Sequence, residues 1–208
     1  AYTHLFRVWP DKKLELQLKT LIIDFLDHII DPETHHFILF FDEKWTRKSD
    51  HISYGHDIEG SWLLVEAAEV LGDDELLKRV QTEAVAMANA VLNEGFDKDG
   101  GLFHEGDPNG IIDMDKHWWP QAEAVVGLFN AFQLSGRQEF LDGALKSWEF
   151  IQNYIVDAEN GEWFWKVDFN NVPAVDECKV CAWKSPYHNG RTCIELLSRI
   201  QNVLTHQI

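Results

Sequence analysis

Apolar residues recur at helical spacing through seven stretches of the chain. Tyr2, Leu5, Phe6 and Trp9 share one face of a segment over 1–9, and no N-cap precedes it. That segment reads as a helix already under way where the chain begins. Asp11 starts a second helix whose stripe of Leu14, Leu18, Leu21, Ile22, Phe25, Leu26 and Ile29 ends near Ile30. A third is expected over 56–71, stopped by Gly72-Asp73-Asp74, which also caps a fourth over 74–93 carrying Leu77, Val80, Ala84, Met87, Ala88 and Val91 inward. A fifth runs over 119–134 to Ser135-Gly136, a sixth over 138–156 and a seventh over 188–204. Between them, Asp31-Pro32-Glu33-Thr34 is a turn, 36–41 a short extended run and 42–54 a polar loop. The stretches 96–103 and 157–165 have the form of small hairpin turns.

The pattern repeats. From Glu59 to Glu123 is 64 residues, and from Glu123 to Tyr187, next to His188, is 64 again. Leu71-Gly72 aligns with Ser135-Gly136 at that interval, and Asp97 meets Asp157 once a few residues are dropped. Helices one, three, five and seven become the first members of hairpins; two, four and six are the returns. Such pairs bury their faces only against neighbouring pairs, so the expected fold class is all-α, an α/α toroid in a single domain over 1–208 with short β-hairpin loops. Gly60, Ala122, Ala124 and Gly127 suit a crowded inner ring. The helix starts around His56, Trp119 and His188 should then meet at one mouth.

Composition narrows the function. Acidic residues outnumber basic ones 35 to 18, a net charge of −17 that repels phosphate backbones and anionic lipid, so neither nucleic acid nor a membrane is expected as a partner. No apolar run reaches the ~18–20 residues of a membrane span, and the start lacks signal-peptide form, which makes a cytoplasmic protein the expectation. Nine tryptophans offer flat faces for sugars or bases, although most such rings fill cores. Cys178 and Cys181 form a C-x-x-C followed by His188 and Cys193. A second C-x-x-C is absent and the central spacing is wrong for a zinc knuckle, so no metal is expected.

His56, Glu59 and Trp62 stack up one helical face at spacings of three. They read either as a surface histidine with a capping carboxylate, or as an acid/base with a partner that orients it or a substrate hydroxyl. Trp118 and Trp119 precede Pro120, with Glu123 one turn on. Flat rings beside a carboxylate make the usual sugar cleft, but also describe a core pair with a cap. His188 follows Pro186 at a helix start, where the positive helix end favours a neutral base; taken alone, a histidine so placed is more often a satisfied structural one.

Three motifs, Ser53-Tyr54-Gly55-His56-Asp57-Ile58-Glu59, Trp118-Trp119-Pro120-Gln121-Ala122-Glu123 and Trp183-Lys184-Ser185-Pro186-Tyr187-His188-Asn189-Gly190-Arg191, closely resemble those of the N-acylglucosamine 2-epimerase superfamily, above all its cellobiose 2-epimerases. The resemblance implies an (α/α)6 barrel and an isomerase that inverts C2 of the reducing-end sugar of β-1,4-linked disaccharides without a metal or organic cofactor. It makes His56 and His188 the two acid/base histidines, His188 on the glucose-side proton and His56 on the mannose side. It assigns Glu59, Trp62, Trp118, Trp119, Glu123 and Trp183 to the sugar site. Ser185 stands where that motif carries a cysteine. A complete barrel of this kind is about twice as long, so the chain resembles a C-terminal portion, an incomplete barrel of about seven helices whose open face a homo-oligomer would bury.

Two alternatives stay beside this one: an α/α-barrel glycoside hydrolase using Glu59 and Glu123 as acid and base, and an inactive remnant that binds a disaccharide or monosaccharide.

Overall fold

The computed structural model describes residues 1–205. Its helices are α1 (Tyr2–Val8), α2 (Lys12–Asp24), α3 (Tyr54–Leu71), α4 (Asp74–Glu94), α5 (Trp118–Ser135), α6 (Gln138–Phe150) and α7 (Tyr187–Thr205). The sequence placed all seven, in order and within a few residues. Asp11 accepts from the backbone of Lys13 and Leu14, Asp73 from Leu76, and Gly72 and Gly136 close α3 and α5 in the left-handed region. One difference is at the ends of α2 and α6, where Phe25–Ile29 and Ile151–Ile155 widen into π-helical turns that apolar periodicity does not reveal.

The inner series α1, α3, α5 and α7 pack side by side, while α2, α4 and α6 return along them. Helix α5 is enclosed almost all round: Ala122, Ala124, Val126 and Leu128 are buried completely. Close approach requires Gly127, because a Cβ there would lie 2.7 Å from the backbone oxygen of Ile58 on α3. By contrast, α7 buries only Asn189 and Thr192 and leaves Ile194, Leu197 and Leu204 exposed.

Each outer helix ends in the same return bend, with antiparallel bridges Ile30↔Phe37, Phe96↔Leu102 and Val156↔Trp163. The two hairpin turns expected at 96–103 and 157–165 are of this kind; the turn at Asp31 followed by the extended run 36–41 is a third. A polar side chain in the first turn of the next inner helix pins each bend. Asp57 of α3 accepts from the backbone of Phe37 at 2.8 Å. Gln121 of α5 exchanges two bonds with Leu102, and Asn189 of α7 donates to Glu162 at 3.1 Å. Behind the first pin, His36 bridges Asp57 and Glu94 at 2.8 and 3.0 Å.

Two small sheets differ from expectation. The polar loop before α3 contains β1 (Ile52–Ser53), which pairs antiparallel with β2 (Glu105–Asp107), itself a hairpin with β3 (Gly110–Asp113). β4 (Lys116–His117) pairs with β5 (Lys166–Val167). Strands of two residues are too short to alternate visibly, and the first pairing spans about fifty positions. No helix among the described residues is long and apolar enough to cross a membrane.

Candidate functional site

The N-terminal turns of α3, α5 and α7 meet beside an open cavity of about 1240 Å³. His56, Glu59, Trp119, Tyr187 and Arg191 line it with His104 and Glu105, and Tyr2, Leu21, Phe25 and Leu63 are among its apolar lining residues. The indole of Trp119 lies between the two marked histidines, 4.8 Å from the His56 ring and 5.5 Å from the His188 ring. One flat side chain thus touches both imidazoles. His188 does not itself line the cavity, although its neighbours Tyr187 and Arg191 do.

Different chemistry holds each imidazole. His56 is exposed and bonds through Nδ1 to the Oγ of buried Ser53 at 2.7 Å. A hydroxyl donates or accepts, so that contact serves either tautomer. His188 bonds through Nδ1 to Oε1 of fully buried Glu123 at 2.7 Å. A carboxylate accepts only, which puts a proton on Nδ1 and leaves Nε2 of the neutral ring as the base.

Glu123 is committed on both oxygens: Oε1 also takes Nη2 of Arg191 at 2.6 Å, and Oε2 accepts the Trp62 indole N–H at 3.0 Å. The same Nη2 reaches Glu59. Burial works against the charge of Arg191, but the two carboxylates outweigh it and hold its pKa above the usual value. Its guanidinium also stacks near the rings of Tyr187 and Trp62, at 4.6 and 5.1 Å.

Arg191 is the residue that sequence reasoning missed. A repeat measured from Glu123 leads to Tyr187 at 64 residues. Measured from the pinning side chains, Glu59, Glu123 and Arg191 each lie two residues after Asp57, Gln121 and Asn189, so the second interval is 68. The three equivalent positions are the ones that meet. On the same count, His56 and His188 are equivalent, and α5 carries Pro120 in their place.

The tryptophans divide. Trp119 faces the histidines. Trp118 is buried against Trp165 at 4.8 Å, with the Lys184 ammonium 5.3 Å from its ring. Neighbours on a helix point about 100° apart, so one mouth cannot take both rings. Trp62 is buried and supports Glu123. Trp183 is 86% exposed, outside the cavity wall, whereas Lys184 beside it is fully buried on Glu162 and the carbonyl of Lys179. Cys178, Cys181 and Cys193 are exposed free thiols.

Comparison with known proteins follows this geometry. The family model for N-acylglucosamine 2-epimerase (GlcNAc 2-epimerase) matches residues 5–191. The chain is 47% identical over 197 residues to the cellobiose 2-epimerase of Bacteroides fragilis, covering 94% of this chain and 50% of that protein. With the cellobiose 2-epimerase of Dictyoglomus turgidum it shares 43% identity over 201 residues, 96% of this chain and 51% of the other. Among solved structures, a sugar epimerase from a ruminal bacterium matches with a TM-score of 0.91 at 39% identity, over 96% of this chain and 51% of that one. The chain spans about half the length of the curated relatives it matches.

Proposed function

The chain belongs to the N-acylglucosamine 2-epimerase family, and from that premise we propose that it is the C-terminal portion of a sugar 2-epimerase acting on the reducing-end glucose of cellobiose-like disaccharides. The observation that carries this reading is the single indole in contact with two imidazoles that are anchored independently.

In the opened sugar, the hydrogen on C2 is acidified by the aldehyde at C1. Nε2 of His188 takes it as a proton; the C2–H electron pair becomes the C1=C2 bond, and the carbonyl electrons move to the C1 oxygen. His56 returns a proton to C2 from the opposite face, the oxygen electrons re-form the carbonyl, and C2 is inverted. Solvent exchange restores both imidazoles. Three helix N-termini at the mouth favour the negative charge that develops on oxygen. Ser53 suits the partner that must deliver as well as receive a proton. Glu59, Trp119 and Trp183 are assigned to the sugar, Trp62 and Glu123 to holding the base, and Trp118 to the wall behind them.

The commitments of Glu123 favour this chemistry over hydrolysis by paired carboxylates, because neither buried oxygen is free for a glycosidic oxygen. Exposed apolar side chains at the end of α1 (Val8 and the following Trp9) and on α7 (Ile194, Leu197) support self-association that covers the open face. Light scattering should then give a multiple of 24.1 kDa, and a monomer at high concentration argues against it.

The decisive experiment incubates the chain with cellobiose in heavy water. Deuterium should enter at C2, and His188→Ala should lower the rate by about 10²–10⁴-fold. Release of glucose without exchange would overturn the reading in favour of a hydrolase, and binding without either in favour of a remnant.

A further inference from the structure

Two groups of ligand-type side chains converge among the described residues: Glu59 with Glu123 and His188, and His104 with Asp113 and His117. The first already holds a cation, the guanidinium of Arg191. The second holds none. From its geometry we propose that His104, Asp113 and His117 form a binding site for a divalent transition metal of the zinc class, at the rim of the cavity beside Trp119.

The β2–β3 hairpin brings two of the ligands together, for the backbone N–H of His104 donates to the carbonyl of Asp113 at 3.2 Å. His117 ends β4 and is the N-cap of α5, so its ring comes from a separate, firmly packed element. The imidazoles of His104 and His117 lie face to face, 4.0 Å between centroids and 18° between planes, and the ligating atoms of all three residues fall within 4.8 Å of one another. Ligands of one tetrahedral zinc are about 3.4 Å apart, and because the lone pairs lie in the plane of each ring, binding one ion requires one imidazole to turn out of the stack about its side-chain torsions.

The surrounding contacts leave the ligands available. Nδ1 of His104 is buried without a partner, while its Nε2 faces the carboxylate of Glu105 at 3.7 Å. That is the arrangement in which an outer carboxylate orients a metal-bound imidazole. The ring of His117 makes no hydrogen bond among the described residues. Asp113 uses Oδ1 to accept from the backbone of Asp115 and keeps Oδ2. Lys166 on the neighbouring strand β5 is paired with Asp115 at 2.7 Å. Two nitrogens and one carboxylate suit zinc or cobalt over magnesium or calcium, and three protein ligands leave one position open.

The test uses the untagged 208-residue chain carrying Cys178→Ser, Cys181→Ser and Cys193→Ser, which removes the thiols as competing ligands. Titration with Co²⁺ should produce the intense visible band of a four-coordinate site at one equivalent, and Zn²⁺ should abolish that band. His104→Ala and His117→Ala should each lower affinity at least a hundredfold, and Glu105→Gln about tenfold, with unchanged circular dichroism. Independently of any histidine variant, Zn²⁺ should protect His104 and His117 from acylation by diethyl pyrocarbonate, read by peptide mass mapping. Absence of the band, its persistence in the His104→Ala, His117→Ala double variant, or equal acylation of both rings with and without Zn²⁺ would overturn the site.

Discussion

His56 and His188 occupy the same position of the repeat, one residue ahead of the side chain that pins their helix to the preceding bend, yet their settings have little in common. His56 stands on α3, inside the packed inner series, and needs a single uncharged contact to Ser53. His188 stands on α7, which buries two residues, and its place depends on Glu123, Arg191 and Glu59. Where packing fixes the backbone, the imidazole can remain loosely tethered; where packing is thin, charge fixes the side chain. The two rings should therefore fail in different ways.

The largest effect is expected at Arg191. Replacing it by methionine removes the cation between two carboxylates, one fully buried, and should cost roughly 3–5 kcal/mol. Urea denaturation measures this, and an unmoved midpoint would mean that the charges do not hold α7. Next comes Ser53→Ala, which leaves stability within about 1 kcal/mol but should slow C2 exchange about tenfold. An unchanged rate would show that His56 is positioned by α3 alone.

A third effect is one of pH. Burial pulls the pKa of His36 down, but Asp57 and Glu94 outweigh it and leave the pKa raised. The folded state then holds that proton more tightly than the unfolded chain does. Stability from this contact is full below the ordinary histidine value of about 6.5 and is lost as pH rises through the raised one. Melting temperature should fall from neutral to mildly alkaline pH, and His36→Gln should flatten that decline; equal slopes would detach the network from the stability of α3. The smallest effect is at Trp183, whose exposure predicts a stability change within about 0.5 kcal/mol for Trp183→Ala. A rise in KM for cellobiose, with kcat unchanged, would assign the ring to the sugar, and no change in either would leave it out of the site.

Most of the fold was legible because seven amphipathic stripes with caps and stops specify seven helices whatever their neighbours do. The sheets were not, since β1 and β4 are two residues long and their partners are distant in sequence. In the site, the convergence of His56, Trp119, Glu123 and His188 could be read from their place at helix starts. The adjacent pair Trp118-Trp119 misled because a dipeptide does not say which ring faces the mouth; helix geometry allows one. Arg191 was hidden by counting the repeat from the reactive residues, when the fastening side chains Asp57, Gln121 and Asn189 keep the register.

That fastening also bears on how such chains change over time. The spacing is 64 residues from α3 to α5 and 68 from α5 to α7, and the surplus is absorbed ahead of α7. There the strand-poor segment after β5 exposes Val172, Val175 and Val180. Asn189 still finds Glu162. The exposed stretch around Val175, between β5 and the anchored Lys179 and Lys184, is therefore where a protein engineer could splice in a reporter peptide without carrying His188 out of register.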